Sequence, residues 1–218
     1  MTDFLAYVDR QFDTILQQTI LHASLIAQCI LIAAVLGVGI GVLVHRNETA
    51  AALATGTTSI IFTIPSLAML GLLITPLGLG VAPTVTAIVL YSLLPILRNT
   101  ISGLKGVDPA LVDAAHGIGM SRARVLVRVQ FPLAWPAILA GLRVSTQLAM
   151  GIGAIAAFVK GPGLGELIFS ALGRLGTADA LNMALAGTLG IVLLALLFDL
   201  AFVLIGRLTT SRGIRIHA

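Results

Sequence analysis

Residues 49–97 read TAAALATGTTSIIFTIPSLAMLGLLITPLGLGVAPTVTAIVLYSLLPIL, a stretch without one Asp, Glu, Lys, Arg or His. A helix crossing about 30 Å of hydrocarbon needs about 20 residues, so this stretch holds two spans. The divide falls at Thr75-Pro76-Leu77-Gly78-Leu79-Gly80, and Pro83 suits the first turn of the next helix. Spans are expected over 51–74 and 83–101. Upstream, the only titratable side chain between Asp13 and His45 is His22, which places a span over 21–43. Downstream, further apolar runs give spans over 135–159 and 181–205. The chain reads as one all-α membrane unit over 1–218, with five transmembrane helices.

Composition agrees with lipid as the solvent. Of 218 residues 58% are hydrophobic and 10% charged, and mean hydropathy is +1.06. A soluble domain of this length has no interior for so much apolar surface. The 23 glycines suit helices that approach closely. The single cysteine, Cys29, excludes an internal disulfide. The pI near 10 fits basic loops on the cytoplasmic side better than a nucleic-acid surface.

Those basic residues set the orientation. With 102–134 in the cytoplasm, the inner set is Arg46, Arg98, Lys105, Arg122, Arg124, Arg128, Arg143, Arg207, Arg212 and Arg215, and the outer set is Arg10, Lys160 and Arg174. The positive-inside rule then puts the N-terminus outside and the C-terminus inside. Asp3, Asp9 and Asp13 stand where a signal peptide would carry basic residues, so none is expected. Phe4, Leu5, Val8, Phe12, Ile15 and Leu16 recur at helical spacing, so 3–18 reads as an amphipathic helix on the outer interface.

The longest inner segment, 102–134, has the signals of an ordered object. Asp108 and Pro109 form a helix start, cap acceptor followed by proline. Gly117 and Gly119 end or bend that helix. Ser121 caps a basic helix over 122–129, and Pro132 and Pro136 are expected to break the chain before the fourth span.

This segment resembles the EAA loop of binding-protein-dependent ABC importer permeases. Asp113-Ala114-Ala115, then Gly119, then Val129 and Phe131-Pro132 keep the spacing of that loop, with Asp for Glu, Val for Ile and Phe for Leu. The resemblance implies the type I importer permease (MetI-like) fold, and a coupling loop in which Asp108, Pro109, Asp113, Ala114, Ala115, Gly119, Arg122 and Pro132 meet an ATPase subunit. Thr63-Ile64-Pro65-Ser66-Leu67-Ala68, Leu94-Pro95-Ile96-Leu97-Arg98-Asn99-Thr100 and Gly163-Leu164-Gly165-Glu166-Leu167-Ile168 resemble the permeases of osmoprotectant importers, which move glycine betaine, choline or carnitine. Permeases of the same superfamily for an amino acid or a phosphonate stay open as the alternative.

The resemblance implies further partners: a second permease subunit, two ATPase subunits carrying ATP and Mg, and an extracytoplasmic substrate-binding protein, in a bacterial inner membrane. No nucleic-acid partner is expected. Lys160-Gly161-Pro162-Gly163-Leu164-Gly165 lacks the lysine and hydroxyl of a phosphate-binding loop, so this chain reads as a non-catalytic subunit without a cofactor of its own. His22, His45, His116 and His217 are dispersed and make no metal-spaced set. A secondary transporter would leave the EAA pattern unexplained, and no inverted repeat is visible.

Within the spans, Pro65 and Pro95 are candidate hinges whose freed carbonyls line a pathway, and Ser66 and Gln147 are candidate pathway residues. Arg143 and Asp199 each lie roughly 12 Å of helix rise from the inner markers Trp135 and Arg207. A lone intramembrane charge is costly, so the two are expected to pair. In the outer segment 160–182, a short helix is expected over 164–172, with Glu166, Arg174 and Asp179 as candidate contacts for the binding protein.

Overall fold

The computed structural model of the chain describes residues 2–210, with side chains from Phe4 onward. Arg212, Arg215 and His217, and the side chain of Asp3, lie outside the described residues. Among the described residues the structure is all helical. The inner side of the molecule is the one that carries most of the positive charge, and the outer side is the opposite one.

Two helices open the chain, α1 (Thr2–Arg10) and α2 (Phe12–Val44). The single amphipathic helix expected over 3–18 is therefore divided at Gln11, and its second half is the start of the first span. Of its apolar residues Leu5, Phe12 and Leu16 are exposed, while Tyr7 is the residue that inserts. At about 50 Å, α2 is longer than the hydrocarbon core, so its outer end projects with α1.

The span expected over 51–74, with Pro65 as a candidate hinge, is two helices, α3 (Glu48–Thr63) and α4 (Ser66–Leu77), bent by 96°. Pro65 lacks an N–H and its ring excludes the helical conformation at the preceding residue. Ile64 is accordingly extended, with φ −66° and ψ 128°. The Ile61 carbonyl, which an N–H at 65 would have met, accepts from the Ile64 N–H at 3.3 Å, and the Tyr91 hydroxyl donates to the Ile64 carbonyl at the bend. Phe62 packs edge-on against the same Tyr91 ring.

The third span is α5 (Val81–Lys105), with Pro95 inside an unbroken helix. The inner segment holds α6 (Pro109–Gly117) and α7 (Arg122–Val125). After it come α8 (Phe131–Ile155), a 3₁₀ turn (Ala156–Val159), the outer helix α9 (Gly165–Leu172) and α10 (Ala180–Thr209). Among the described residues four stretches are long and apolar enough to cross a membrane, and the bent α3–α4 pair, taken as one span, gives five.

The core lies where α5 and α8 pack against each other, with α2 behind both. Between apolar helices of this kind, close fit supplies the attraction. A Cβ at Gly141 would stand 2.8 Å from the Pro95 carbonyl oxygen, and one at Gly41 2.6 Å from a Thr100 methyl. These glycines set the helix spacing, and α10, mostly unburied, closes one side.

Candidate functional site

The inner segment leaves α5 at Gly106 and enters α6. The Asp108 carboxylate accepts from the Ala110 N–H at 2.9 Å, and Pro109 occupies the first turn, where no N–H is missed. Gly119 takes φ +84°, a left-handed value that glycine reaches without strain. The chain reverses there, with the Met120 N–H on the Ala115 carbonyl at 3.1 Å. Ser121 then caps α7, accepting from the Arg124 N–H.

Asp113, Ala114 and His116 are exposed on α6, whereas Ala115 and Val125 are buried between the two short helices. Leu111 and Ile118 also stand exposed, Ile118 at 76%. A polar loop built only to connect spans has no reason to present apolar side chains to water. The small and apolar groups Leu111, Ala114 and Ile118 therefore form an exposed surface along α6 and its cap.

The expected proline break before the fourth span is absent. Helix α7 runs through a π turn (Leu126–Gln130) straight into α8, a continuous 38-residue rod over Arg122–Val159. The reason is local. Pro132 has no N–H to give, and widening the preceding turn to the Phe131 N–H to Leu126 carbonyl pattern accommodates the ring without breaking the rod. Gln130, buried at the end of the π turn, accepts from Arg46 at 3.4 Å, which ties the rod to the α2–α3 corner.

The rod carries an open face. Ala140, Arg143, Val144, Gln147, Leu148 and Gly151 are exposed on α8. They share one side of the helix, away from Gly141, which meets α5, and from Gly153, which meets α2 at His22 and Ile26. On one flank Arg143 and Asp199 of α10 form a two-pronged ion pair: the guanidinium Nε donates to Oδ1, and Nη2 donates to Oδ2 at 2.6 Å. Gln147 adds a bond to Asp199 Oδ1 at 3.1 Å. Opposite charges thus leave no isolated charge at this depth.

Arg98 of α5, exposed, donates to Ser59 of α3 at 3.0 Å. Neither Ser59 nor Arg98 is among the site residues expected from the sequence, although Arg98 lies in a stretch that carries the resemblance. The signal was an arginine several residues inside an apolar span. Pro65 is exposed and Ser66 half-buried at the α3–α4 bend, and Pro95 is half-buried within α5.

At the outer end, Glu166, Arg174 and Asp179 are drawn toward α1 and α2. Asp179 pairs with Arg10 at 3.5 Å, both well exposed. Gln18 donates to Glu166 at 2.6 Å, and its oxygen accepts from the Gly163 N–H at 3.1 Å. With Tyr7, Gln11 and Thr14 these residues line a cavity of about 240 Å³. Burial first, then the Asp179 carboxylate, push the Tyr7 phenol above its ordinary pKa, so it stays a neutral hydroxyl. Sequence reading missed Gln18, which has no periodicity or motif to mark it.

Comparison with known proteins fits these features. Residues 30–211 match the family model described as binding-protein-dependent transport system inner membrane component. The osmoprotectant import permease protein OsmW of Salmonella typhimurium is 38% identical over 90% of this chain and 92% of its own. The choline transport system permease protein OpuBB of Bacillus subtilis is 34% identical over 92% of this chain and 91% of its own. A carnitine transport permease protein OpuCB of Listeria monocytogenes is 31% identical over 99% and 97%. The fold matches a chain of the inward-facing MetNI methionine ABC transporter with TM-score 0.78 at 18% identity, over 90% of this chain and 96% of that one. A helical reversal at the inner end, a rod carried unbroken into the membrane and these matches agree: the chain belongs to the inner membrane component family of binding-protein-dependent transport systems.

Proposed function

We propose that this chain is one of two permease subunits enclosing the pathway of an ATP-driven importer for compatible solutes such as glycine betaine, choline or carnitine. The carrying observation is the inner segment. An ordered helix presents Leu111, Asp113 and Ala114, with Ile118 at its cap, and the reversal at Gly119 feeds a rod that runs toward the outer side. Relatives named for osmoprotectant, choline and carnitine transport, covering nearly the whole of both chains, support the cargo.

The assembly places α6 in a cleft of an ATPase subunit on the cytoplasmic side of a bacterial inner membrane. The partner ATPases bind and hydrolyse ATP with Mg, and this chain contributes no catalytic group. Movement of α6 passes through the turn at Gly119 into the rod, which carries it to the open face of α8. The Arg143–Asp199 pair makes α10 follow α8. Arg98, Ser59 and Gln147 give a polar solute hydrogen-bonding groups along a face otherwise apolar, facing the second permease subunit. The extracytoplasmic binding protein delivers the solute to the opposite end, beside Glu166, Arg174 and Asp179.

The test is Ala114→Trp in the complete importer, reconstituted with its binding protein. Uptake of glycine betaine is expected to fall about tenfold or more, as for a bulky residue placed in a packed protein contact. Inserted, folded chain with undiminished ATP-dependent uptake would reject the docking role. Native importer that carries an amino acid and none of the three ammonium solutes would reject the cargo.

A further inference from the structure

We propose that the outer loop is itself a solute site: Lys160, Glu166 and Phe169 form a basin that takes up a small zwitterion, its carboxylate on Lys160 and its quaternary ammonium against Glu166 and Phe169. This rests on the osmoprotectant reading above and adds a place where the permease touches its cargo.

The basin is a cavity of about 560 Å³ lined by Ala157, Lys160, Gly161, Pro162, Phe169 and Ser170 together with Glu166. That size lies within the range of small-molecule sites, about 300–1,000 Å³. Its charged members are one cation and one anion, so its field complements a molecule that carries both signs. An aromatic face beside a carboxylate is the arrangement that attracts a quaternary ammonium, which offers no N–H and is held by charge and ring quadrupole alone.

Lys160 carries the strongest signal. It has φ 60° and ψ 31°, and among the described residues no other non-glycine residue has a positive φ. The position caps the 3₁₀ turn after α8, where glycine or asparagine is the ordinary choice because Cβ clashes in the left-handed region. Nothing in the loop's backbone asks for a lysine. Its N–H bonds the Ala157 carbonyl at 3.0 Å, as a glycine N–H would. Its ammonium has no ion-pair or hydrogen-bond partner among the described residues. A strained residue that is also unpaired points to a role outside the fold.

The loop holds the basin rigid. The Gly161 N–H bonds the Ala156 carbonyl at 2.9 Å, and the Gly80 N–H bonds the Val159 carbonyl at 2.7 Å. Gln18 fixes one oxygen of Glu166 and leaves the other without a partner among the described residues. In the neighbouring 240 Å³ cavity, by contrast, Asp179 is already matched by Arg10. Arg174 also borders that cavity, Glu166 lines both, and Lys160 lines the larger one alone.

The experiment compares two solutes that share the trimethylammonium group and differ in the carboxylate. Uptake of glycine betaine and of choline is measured in the complete reconstituted importer, with the binding protein saturating and fully loaded. Lys160→Gly is expected to slow glycine betaine about threefold, the size of one partly exposed charged contact, and to leave choline unchanged. Lys160→Arg keeps both. Lys160→Gly also relieves the backbone, so its unfolding temperature is expected to equal or exceed that of the native chain, which separates lost function from lost fold. Equal slowing of both solutes, with weaker capture of the binding protein, would assign the basin to protein docking and overturn the proposal. No effect on either solute would overturn it too. A native importer that moves neither solute brings down the cargo reading and this proposal with it, an outcome recognised before any variant is made.

Discussion

The two ends of the α7–α8 rod carry glycine-containing segments that look alike in sequence and are built in opposite ways. At the inner end, a Cβ added to Gly117 or Gly119 would meet nothing within 4 Å. At the outer end, a Cβ on Gly161 would stand 2.4 Å from the Thr84 hydroxyl, one on Gly163 2.7 Å from His22 Nδ1, and one on Gly165 2.1 Å from the Ala154 carbonyl oxygen. The inner glycines serve the conformation of a segment held away from the body. The outer ones let a segment be pressed onto it. The difference lies in the two glycine segments, since the rod itself is held near its inner end by Gln130 and Val125.

The largest expected effect tests that difference directly. Gly165→Ala forces the start of α9 off the end of α8, where backbone blocks it, and is expected to cost about 3 kcal/mol or more. Gly119→Ala meets open space and carries only the left-handed backbone cost, about 1 kcal/mol. Thermal unfolding of the two variants in detergent measures both. Equal losses would mean that the inner segment is packed as tightly as the outer, and the comparison would break.

Much of this architecture is legible in the sequence, and what is not has physical reasons. The charge-free stretch at 49–97 and the caps at Asp108, Pro109 and Ser121 are local signals, and the helices stand where they indicate. Pro65 signals a kink, but not one of 96°. At that bend the Ile64 carbonyl is taken by Tyr91 of a different helix, a contact no local pattern announces. The continuity through Pro132 is hidden because a π turn has no sequence code of its own, whereas proline has a strong one. The pairing of Arg143 with Asp199 is accessible from depth alone, since each lies a similar rise from the inner surface. Gln18 and Ser59 are invisible, being ordinary polar residues whose partners come from distant helices.

The ion pair lies between the two ends and offers the next test. Arg143→Met leaves Asp199 with only Gln147 at membrane depth, whereas Arg143→Met with Asp199→Leu removes both charges. Breaking a charge pair costs more than deleting it. The single variant is therefore expected to lose most of its uptake, and the double variant to regain part of it. If the double is no better than the single, the arginine acts on its own along the open face rather than as a latch on α10.

The smallest effect concerns the outer anchor. Gln18 holds α9 from two sides, donating to Glu166 and accepting from the Gly163 N–H. Gln18→Ala removes both bonds at a half-buried site, at a cost of about 1 kcal/mol. The glycine contacts behind it are steric and survive the change, so the segment stays seated and the fold is expected to hold. Hydrogen exchange reads the distinction, because amides of 163–167 should exchange faster while those of 113–119 are unchanged. Faster exchange at both ends would mean that the outer anchor restrains the inner segment through the rod, and the anchored and free ends would then have to be treated as one coupled element.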